Sequence, residues 1–443
     1  IYPKTIYRNL YIIIFINDVM IDINLVRTNP DLIKKNLERR FQAEKKEFVD
    51  NISNLDKKYR ENLQDLEKLR HERNVISENI NKLRKENKQF HNELLRAQSL
   101  PKEISKLENE VNLIKQKIND YLLKLPNILH EKVPIGKDAT KNKVIKKWGK
   151  PKKVKFELKN HVELAESLGV ADFDQGREVS GKGFNYLKGK LAKLDLALQQ
   201  YGIDFLLKHG FTLVNPPLML RRDALIGAVD LSAFEDVIYK IENEDLYLIG
   251  TGEHSLVSYL KNKILKREDL PVKLCAVTPC FRKEIGGHGV DMKGLFRMHQ
   301  FNKVEQVVFS TKENSYKLLE EMQKITEEFF KSLKIPYRVI EICSGDLGNK
   351  FSKQYDIEAW LPRQKEYQEI TSAGNCTDYQ ARRLNIKYLD KEEKKFIHIL
   401  NNTMVATSRA MVAILENYQE KNGSVKIPKV LWKYTGFKEI KKE

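Results

Sequence analysis

The amino-acid order predicts an α+β protein: an antiparallel sheet flanked by helices, preceded by an antiparallel pair of long helices packed as a coiled-coil arm. Three observations carry this reading. Ile52, Leu55, Tyr59, Leu63, Leu66, Leu69, Ile76, Ile80 and Leu83 recur mostly every three or four residues, and Ile104, Leu107, Val111, Ile114, Ile118 and Leu122 repeat that spacing. No glycine interrupts either run. Beyond about residue 160 short β-branched and aromatic runs follow one another without intervening helices, which favours antiparallel pairing over a doubly wound sheet.

The 443 residues allow two or three domains. Leu10 to Ile16 is apolar but far shorter than the roughly 20 residues that span a bilayer. Lys4 and Arg8 precede it as in a signal or transit peptide, yet no small-residue cleavage site follows. Met20-Ile21-Asp22-Ile23 reads as the natural start, so 1–19 are expected to be an extension, disordered or not native. Residues 30–44 read as a short amphipathic helix entered at Pro30. The periodic runs then form arms of roughly 40 residues, on the order of 60 Å long. The polar stretch 87–100 turns the chain back, and Pro101 lies near the start of the second arm. A dimerising coiled coil fits the stripe too. Against it, Lys82, Arg84, Lys85 and Lys88 gather toward the turn, where a projecting arm could grip phosphates. Over 45–124 there are 18 basic and 14 acidic side chains, so only this local cluster points to a polyanion.

Leu125-Pro126-Asn127 closes the arm, giving an N-terminal domain over 20–130. Residues 131–160, with the basic run from Lys141 to Lys155, read as an exposed linker, and 161–443 as a mixed α/β domain. Its expected strands are 211–214, 246–249, 272–277, 301–309, 337–342, 355–360 and 367–370. Its expected helices are 190–209, 255–265, 314–333 and 409–418. Gly176 to Gly183 nearly matches a phosphate-cradling G-x-x-x-x-G-K-[ST] loop, but glycine stands where a hydroxyl must reach Mg²⁺, so a turn is expected instead.

The chain carries 79 Lys plus Arg against 61 Asp plus Glu, a net +18 that favours a polyanionic partner. Cys275, Cys280, Cys343 and Cys376 have neither zinc-site nor disulfide-framework spacing, so four reduced thiols and no zinc are expected.

The chemistry concentrates in three segments. Cys280-Phe281-Arg282-Lys283-Glu284 is followed by Phe296 to Glu305, Glu369-Ile370-Thr371-Ser372 comes next, and Asn401 to Val412 contains Thr403 and Arg409. They offer fixed positive charge for phosphates, carboxylates for an ammonium or Mg²⁺, and an aromatic ring for a base. That set suits nucleotide-dependent activation of a small polar substrate. Either arginine alone reads more readily as a surface ion pair, and a buried structural carboxylate is the competing reading for Glu369.

These segments resemble motifs 2 and 3 of class II aminoacyl-tRNA synthetases, and specifically the seryl-tRNA synthetases. The likeness runs from Met20 to Trp432 through His161 to Gly169, Gly210 to Pro217 as motif 1, Thr251-Gly252-Glu253, Cys376 to Arg383 and Leu415 to Gln419. Leu400 to Met404 and Asn375 to Asp378 look more like the eukaryotic cytosolic branch than the bacterial one. The resemblance implies that L-serine and MgATP give seryl-adenylate, whose serine passes to the terminal 3′-hydroxyl of tRNA(Ser), with tRNA(Sec) a second acceptor it allows. It implies catalytic roles for Arg282 and Arg409, with Lys283, Glu284, Phe301, Glu369, Ile370, Thr371 and Ser372 also at ATP. Thr251, Gly252, Glu253, Arg282, Glu305, Asn401 and Thr403 would bind serine, and Glu369 and Ser372 would hold Mg²⁺. Lys82, Arg84, Lys85 and Lys88 would meet the long variable arm of the tRNA, across a cytoplasmic homodimer formed through motif 1, with no membrane partner. Asn402 and Thr403 replace the Gly-Ser of bacterial members, Ser255 a frequent proline, and Ala406 and Ser408 motif 3 glycines. Val290, Met292 and Lys293 depart from the usual motif 2 loop, which bears on transfer to tRNA. The rival readings are a paralogue that activates an amino acid without charging tRNA, and a non-catalytic coiled-coil interaction protein.

Overall fold

The computed structural model describes residues 21–151, 154–229, 234–284 and 294–442. The expected extension 1–19 and the departures at Val290, Met292 and Lys293 lie outside them. The chain divides into two compact units, one of 21–38 and 42–125, the other of 39–41 and 126–442.

In the first unit, α1 (Ile23–Thr28) begins at Asp22, whose carboxylate caps the Asn24 amide. It is followed by α2 (Pro30–Arg39), which starts on the proline that tolerates an unbonded first-turn nitrogen. It ends before residue 44 because Phe41 takes a left-handed backbone, φ 57°. The long pair is α3 (Lys46–Lys85) and α4 (His91–Lys124). The reversal is thus shorter than 87–100, and Pro101 sits well inside α4. The helix runs through it at the loss of one backbone hydrogen bond. Leu66, Ile104 and Val111 are buried between the helices with Tyr59, Leu69 and Leu107 beside them. Toward the turn Ile76, Ile80 and Leu83 are only half-buried. Ion pairs Arg70–Glu108 (2.9 Å) and Arg96–Glu72 (2.7 Å) cross-link the exposed flanks, where solvent screens them.

The second unit is built on eight strands: β1 (Lys143–Trp148), β2 (Thr212–Leu213), β3 (Val272–Phe281), β4 (Gln300–Ser310), β5 (Tyr337–Glu341), β6 (Lys353–Leu361), β7 (Glu366–Asn375) and β8 (His398–Ala406). Their order is β1-β5-β6-β7-β8-β4-β3-β2, antiparallel throughout except where β2 pairs with β3. One face is covered by α5 (Gly189–Lys208), α7 (Ser315–Ser332) and α8 (Thr407–Asn417), which bury Leu198, Met322, Phe329 and Ile414 against Val304, Leu400 and Met404. The opposite face packs α6 (Gly252–Ser258) and the 379–384 helix, through Leu256, Val257 and Leu384, on Leu274 and Val307.

Three expectations are corrected here. Residues 143–148 are not linker but an exposed edge strand on β5, and edge lysines are how a strand exposed this way resists further pairing. The helix expected over 255–265 stops at Ser258, because Asn262 adopts φ 61° and 264–266 becomes a strand beside 387–389. In the near-phosphate-loop, 176–180 are helical and only 181–183 turn. All four cysteines are free and buried.

Candidate functional site

Strand alternation builds the floor of the site. On β4, Phe301, Lys303 and Glu305 face a cavity of about 460 Å³, while Asn302, Val304 and Gln306 face the helices. On β8, Asn401 and Thr403 line the cavity, whereas the Asn402 amide donates to Met322 O (3.1 Å) and Thr326 Oγ1 (2.9 Å) of α7. Asn402 therefore anchors a helix and does not face ligand. A bulge at Met404 sets Thr403 opposite Glu305. A second bulge on β7 leaves Ile370 unopposed between Glu369 and Thr371, and all three line the cavity with Ser372.

The turn before α6 closes one end. The Thr251 hydroxyl donates to Glu305 Oε1 (2.6 Å) and accepts from Lys303 Nζ (3.3 Å) and the Glu253 amide (3.3 Å). A side chain on Gly252 would come within 2.9 Å of Thr278 Oγ1, so the turn must stay small there. Ser255, in the first turn of α6, donates to Pro217 O (2.6 Å), a contact proline could not make. Glu253 is buried against Lys350, whose Nζ reaches both carboxylate oxygens (2.6 and 2.8 Å), and Gln380 Nε2 adds a third donor (2.9 Å). Lys303 pairs with Glu305.

Burial would raise both carboxyls, but the outcomes differ. Beside Lys350, with Gln380 donating as well, Glu253 is held below the usual carboxylate range. Glu305 is pushed up by burial more than Lys303 and Thr251 pull it down. Burial lowers His254 to about 3, so it is a neutral imidazole whose Nδ1 accepts from the Gly250 amide. The Gly250 carbonyl accepts from Arg282 Nε (2.9 Å), and the Arg282 guanidinium lies 5.4 Å from the Phe301 ring centroid.

The other end is more open. Arg409 Nη1 donates to Glu369 Oε1 (2.9 Å) and Glu369 O (3.0 Å), with Phe296 beneath the guanidinium at 5.1 Å. Glu284 also lines the cavity. Behind Ser372, Gln354 Nε2 donates to both Ser372 Oγ and Asp356 Oδ1 (3.1 Å each). Burial, then the Glu369 charge, pushes the Asp356 carboxyl up to about 8. Thr371 Oγ1 is buried without a hydrogen-bond partner among the described residues.

Thus Thr251, Glu253, Arg282, Glu284, Phe301, Glu305, Glu369, Ile370, Thr371, Ser372, Asn401, Thr403 and Arg409 share one cavity. Lys283 and Gly252 are not among its lining residues. Ala406 and Ser408 do line it, buried and small. Lys82, Arg84 and Lys85 occupy the last turn of α3 in the first unit, and Lys88 pairs with Glu86 (2.8 Å). Sequence reasoning missed His254, Phe296, Lys303, Lys350 and Asp356. Of these only Lys303 had a local signal, its place in the alternation of β4.

Residues 20–129 match the seryl-tRNA synthetase N-terminal domain, and 236–418 match the tRNA synthetase class II core domain (G, H, P, S and T). Serine–tRNA ligase of Pyrococcus horikoshii is 49% identical, over 95% of this chain and 97% of that protein. The crystal structure of seryl-tRNA synthetase from P. horikoshii complexed with ATP superposes with a TM-score of 0.90 at 48% identity, covering 96% of this chain and all of that one. Cytoplasmic serine–tRNA ligase from Naegleria fowleri in complex with AMP gives 0.85 at 36% identity, over 96% of this chain and 99% of that one.

Proposed function

The chain belongs to the seryl-tRNA synthetases of class II, a family of serine–tRNA ligases, and we propose that its cavity converts L-serine and ATP to seryl-adenylate and pyrophosphate and then passes serine to the terminal ribose of tRNA(Ser), releasing AMP. The observation that carries this assignment to residues is the single file of Phe301, Lys303 and Glu305, with Arg282 at one side and the Arg409–Glu369 pair at the other.

Attack of a carboxylate on an α-phosphate brings two anions together, so fixed positive charge must sit where they meet. Arg282 fills that position, held by Gly250 O, and presents a planar fork to the serine carboxylate and the phosphate. Phe301 stacks on adenine, Glu284 accepts from its amino group, and Arg409 faces the outer phosphates. Lys283, Ile370 and Thr371 complete the nucleotide contacts through the chain around these side chains. The depressed carboxyl of Glu253 suits the serine ammonium, which needs a permanent anion, with Thr251 and Gly252 shaping its turn. Glu305 and Thr403 take the serine hydroxyl, with Asn401 beside them. A buried acceptor left without its hydroxyl penalises alanine.

Mg²⁺ fits the donor set of Glu369 and Ser372, two hard oxygens with Asp356 behind them. Among the described residues there is no cluster of three or more His, Cys, Asp or Glu that could hold a metal ion; nucleotide phosphates and water would supply the further ligands. When bound, the cation neutralises phosphate charge.

In the arm, Lys82, Arg84, Lys85 and Lys88 meet the variable arm of tRNA(Ser). A homodimer forms through motif 1 and the neighbouring face of α5, where Leu196, Leu207 and Leu213 are exposed at 57%, 45% and 45%. No helix among the described residues is long and apolar enough to cross a membrane. We assign the enzyme to the cytoplasm, as for the N. fowleri relative.

Serine-dependent exchange of pyrophosphate into ATP, followed by charging of tRNA(Ser), tests the reading. Exchange with serine and stable charging is expected. Exchange without charging favours an acceptor-less paralogue. A folded protein with no exchange for any amino acid overturns the assignment.

A further inference from the structure

Lys350 has no part in the sequence motifs, yet it forms part of the cavity wall. It belongs to the 343–352 loop between β5 and β6, and that loop is pinned from several sides. Arg40, itself buried, donates to Leu347 O (3.1 Å) and Phe351 O (2.5 Å). Asn127 Nδ2 donates to Lys350 O (2.9 Å) and Cys376 O (2.8 Å). The Phe351 ring lies on Gly374 of β7 so closely that any side chain there would collide with it, and Lys350 Nζ stands 4.8 Å above that ring. The lysine is therefore delivered by a rigid support to one partner, Glu253.

A carboxylate offers about four acceptor directions. Among the described residues, Glu253 Oε1 accepts from Lys350 Nζ and Gln380 Nε2, and Oε2 accepts from Lys350 Nζ alone. One direction on Oε2 is left. Gln380 is itself fixed by donating to Ala228 O (2.7 Å), so neither partner is free to swing into the cavity.

We propose that Lys350 is a positioning residue for serine: it keeps Glu253 ionised and aimed, with a single acceptor direction left for the substrate ammonium. The proposal rests on the reading of Glu253 as the ammonium acceptor. The charged and titratable groups around that carboxylate are Lys350, His254, Glu305 and Cys376, with Lys303 and Arg282 beyond them. His254 is neutral and Glu305 is of like sign, and burial keeps the Cys376 thiol protonated. Lys350 is thus the only cation of this set that bonds directly to Glu253. Without it, burial drives the carboxyl upward and Glu253 takes a proton at neutral pH.

The test is the serine and ATP dependence of pyrophosphate exchange by the full-length Lys350→Met enzyme, between about pH 6.5 and 8.5. The serine KM rises on the order of tenfold or more at neutral pH while the ATP KM is little changed. The ratio of variant to wild-type serine KM falls as pH rises, because Glu253 regains its charge. A ratio at or below one means that Lys350 competes with serine, and overturns the proposal. A raised ratio that is flat with pH reduces Lys350 to a space-filling role, and overturns it too. Glu253→Gln, measured in parallel, separates the two layers. If it leaves the serine KM unchanged, the ammonium reading fails and takes the proposal with it. If it raises the serine KM while Lys350→Met does not, only the role of Lys350 falls. Lys350→Gln, which keeps a donor without the charge, is judged by the same ratio should the methionine variant not fold.

Discussion

The two ends of the cavity handle charge in opposite ways. At the inner end the Lys303 and Glu305 side chains are 14% and 2% exposed, and Lys350 and Glu253 16% and 8%. At the outer end Arg409 and Glu369 are 25% and 48% exposed. In the dry end each ion is fixed before any ligand arrives, and removing one partner strands the other without solvent to replace it. In the wet end solvent screens the pair, so its value lies in what it does once polyphosphate is present. On the proposed reading, the small substrate would be met by preorganised, desolvated groups, and the nucleotide by charges that remain partly hydrated.

The largest break in that contrast is expected where the two ends meet. Arg282→Ala should lower kcat/KM for pyrophosphate exchange by about a thousandfold. Arg282→Lys should recover little of it, because an ammonium cannot present the planar fork to carboxylate and phosphate together. Recovery by lysine would mean that charge alone, without geometry, suffices at this position.

Next in size is the inner end. Glu305→Gln keeps the shape but leaves Lys303 without its counter-charge and weakens the acceptor for the serine hydroxyl. The preference for serine over alanine, read as the ratio of kcat/KM values, should fall about a hundredfold. An equal loss for both amino acids would place Glu305 in the support of the pocket and not in its selectivity. At the outer end Glu369→Gln should raise the Mg²⁺ concentration for half-maximal exchange about tenfold and leave the serine KM unchanged at saturating Mg²⁺. An altered serine KM would show that the two ends are coupled after all.

Smaller still is the effect expected in the arm. Alanine at Lys82, Arg84, Lys85 and Lys88 together should leave exchange untouched and weaken charging several-fold. The salt dependence of charging should also become shallower, by up to about 0.9 in log–log slope for each phosphate that is no longer neutralised. Unchanged salt dependence would remove these four residues from the tRNA footprint.

What was legible in the sequence follows the same division between local and distant causes. The arm could be read because a narrow apolar stripe is a local pattern, and Phe301 and Glu305 could be read because alternation on one strand puts them on one face, a pattern that also held the overlooked Lys303. β8 escaped as a strand. His398 to Ala406 is buried along its whole length and carries Asn401, Asn402 and Thr403 in sequence, so no polar–apolar alternation marks it. β1 escaped for the opposite reason: five of its six residues are exposed, and only its pairing with β5 makes it a strand. Lys350 and Asp356 escaped because their partners, Glu253 and Ser372, come from other elements. No spacing in a single segment encodes a lysine that a pinned loop inserts beneath a helix N-terminus.

The smallest expected effect tests whether the inner end is dry. Burial lowers His254 to about 3, against an ordinary value near 6.5. The unfolded chain therefore binds a proton at His254 that the folded chain refuses between these two values. For a base whose folded pKa is depressed, stability is complete above about pH 6.5 and is lost as pH falls toward 3, where the penalty levels off. The slope from this residue is at most about 1.4 kcal/mol per pH unit. His254→Gln keeps an acceptor for the Gly250 amide and removes the titration, so denaturant unfolding across that window should show a shallower acid loss than wild type. Exchange at neutral pH should change little, because the imidazole is already uncharged there and the Gly250 carbonyl still holds Arg282. An identical acid slope in the variant would mean that water reaches His254, and the contrast between a dry and a wet end would then lose its basis.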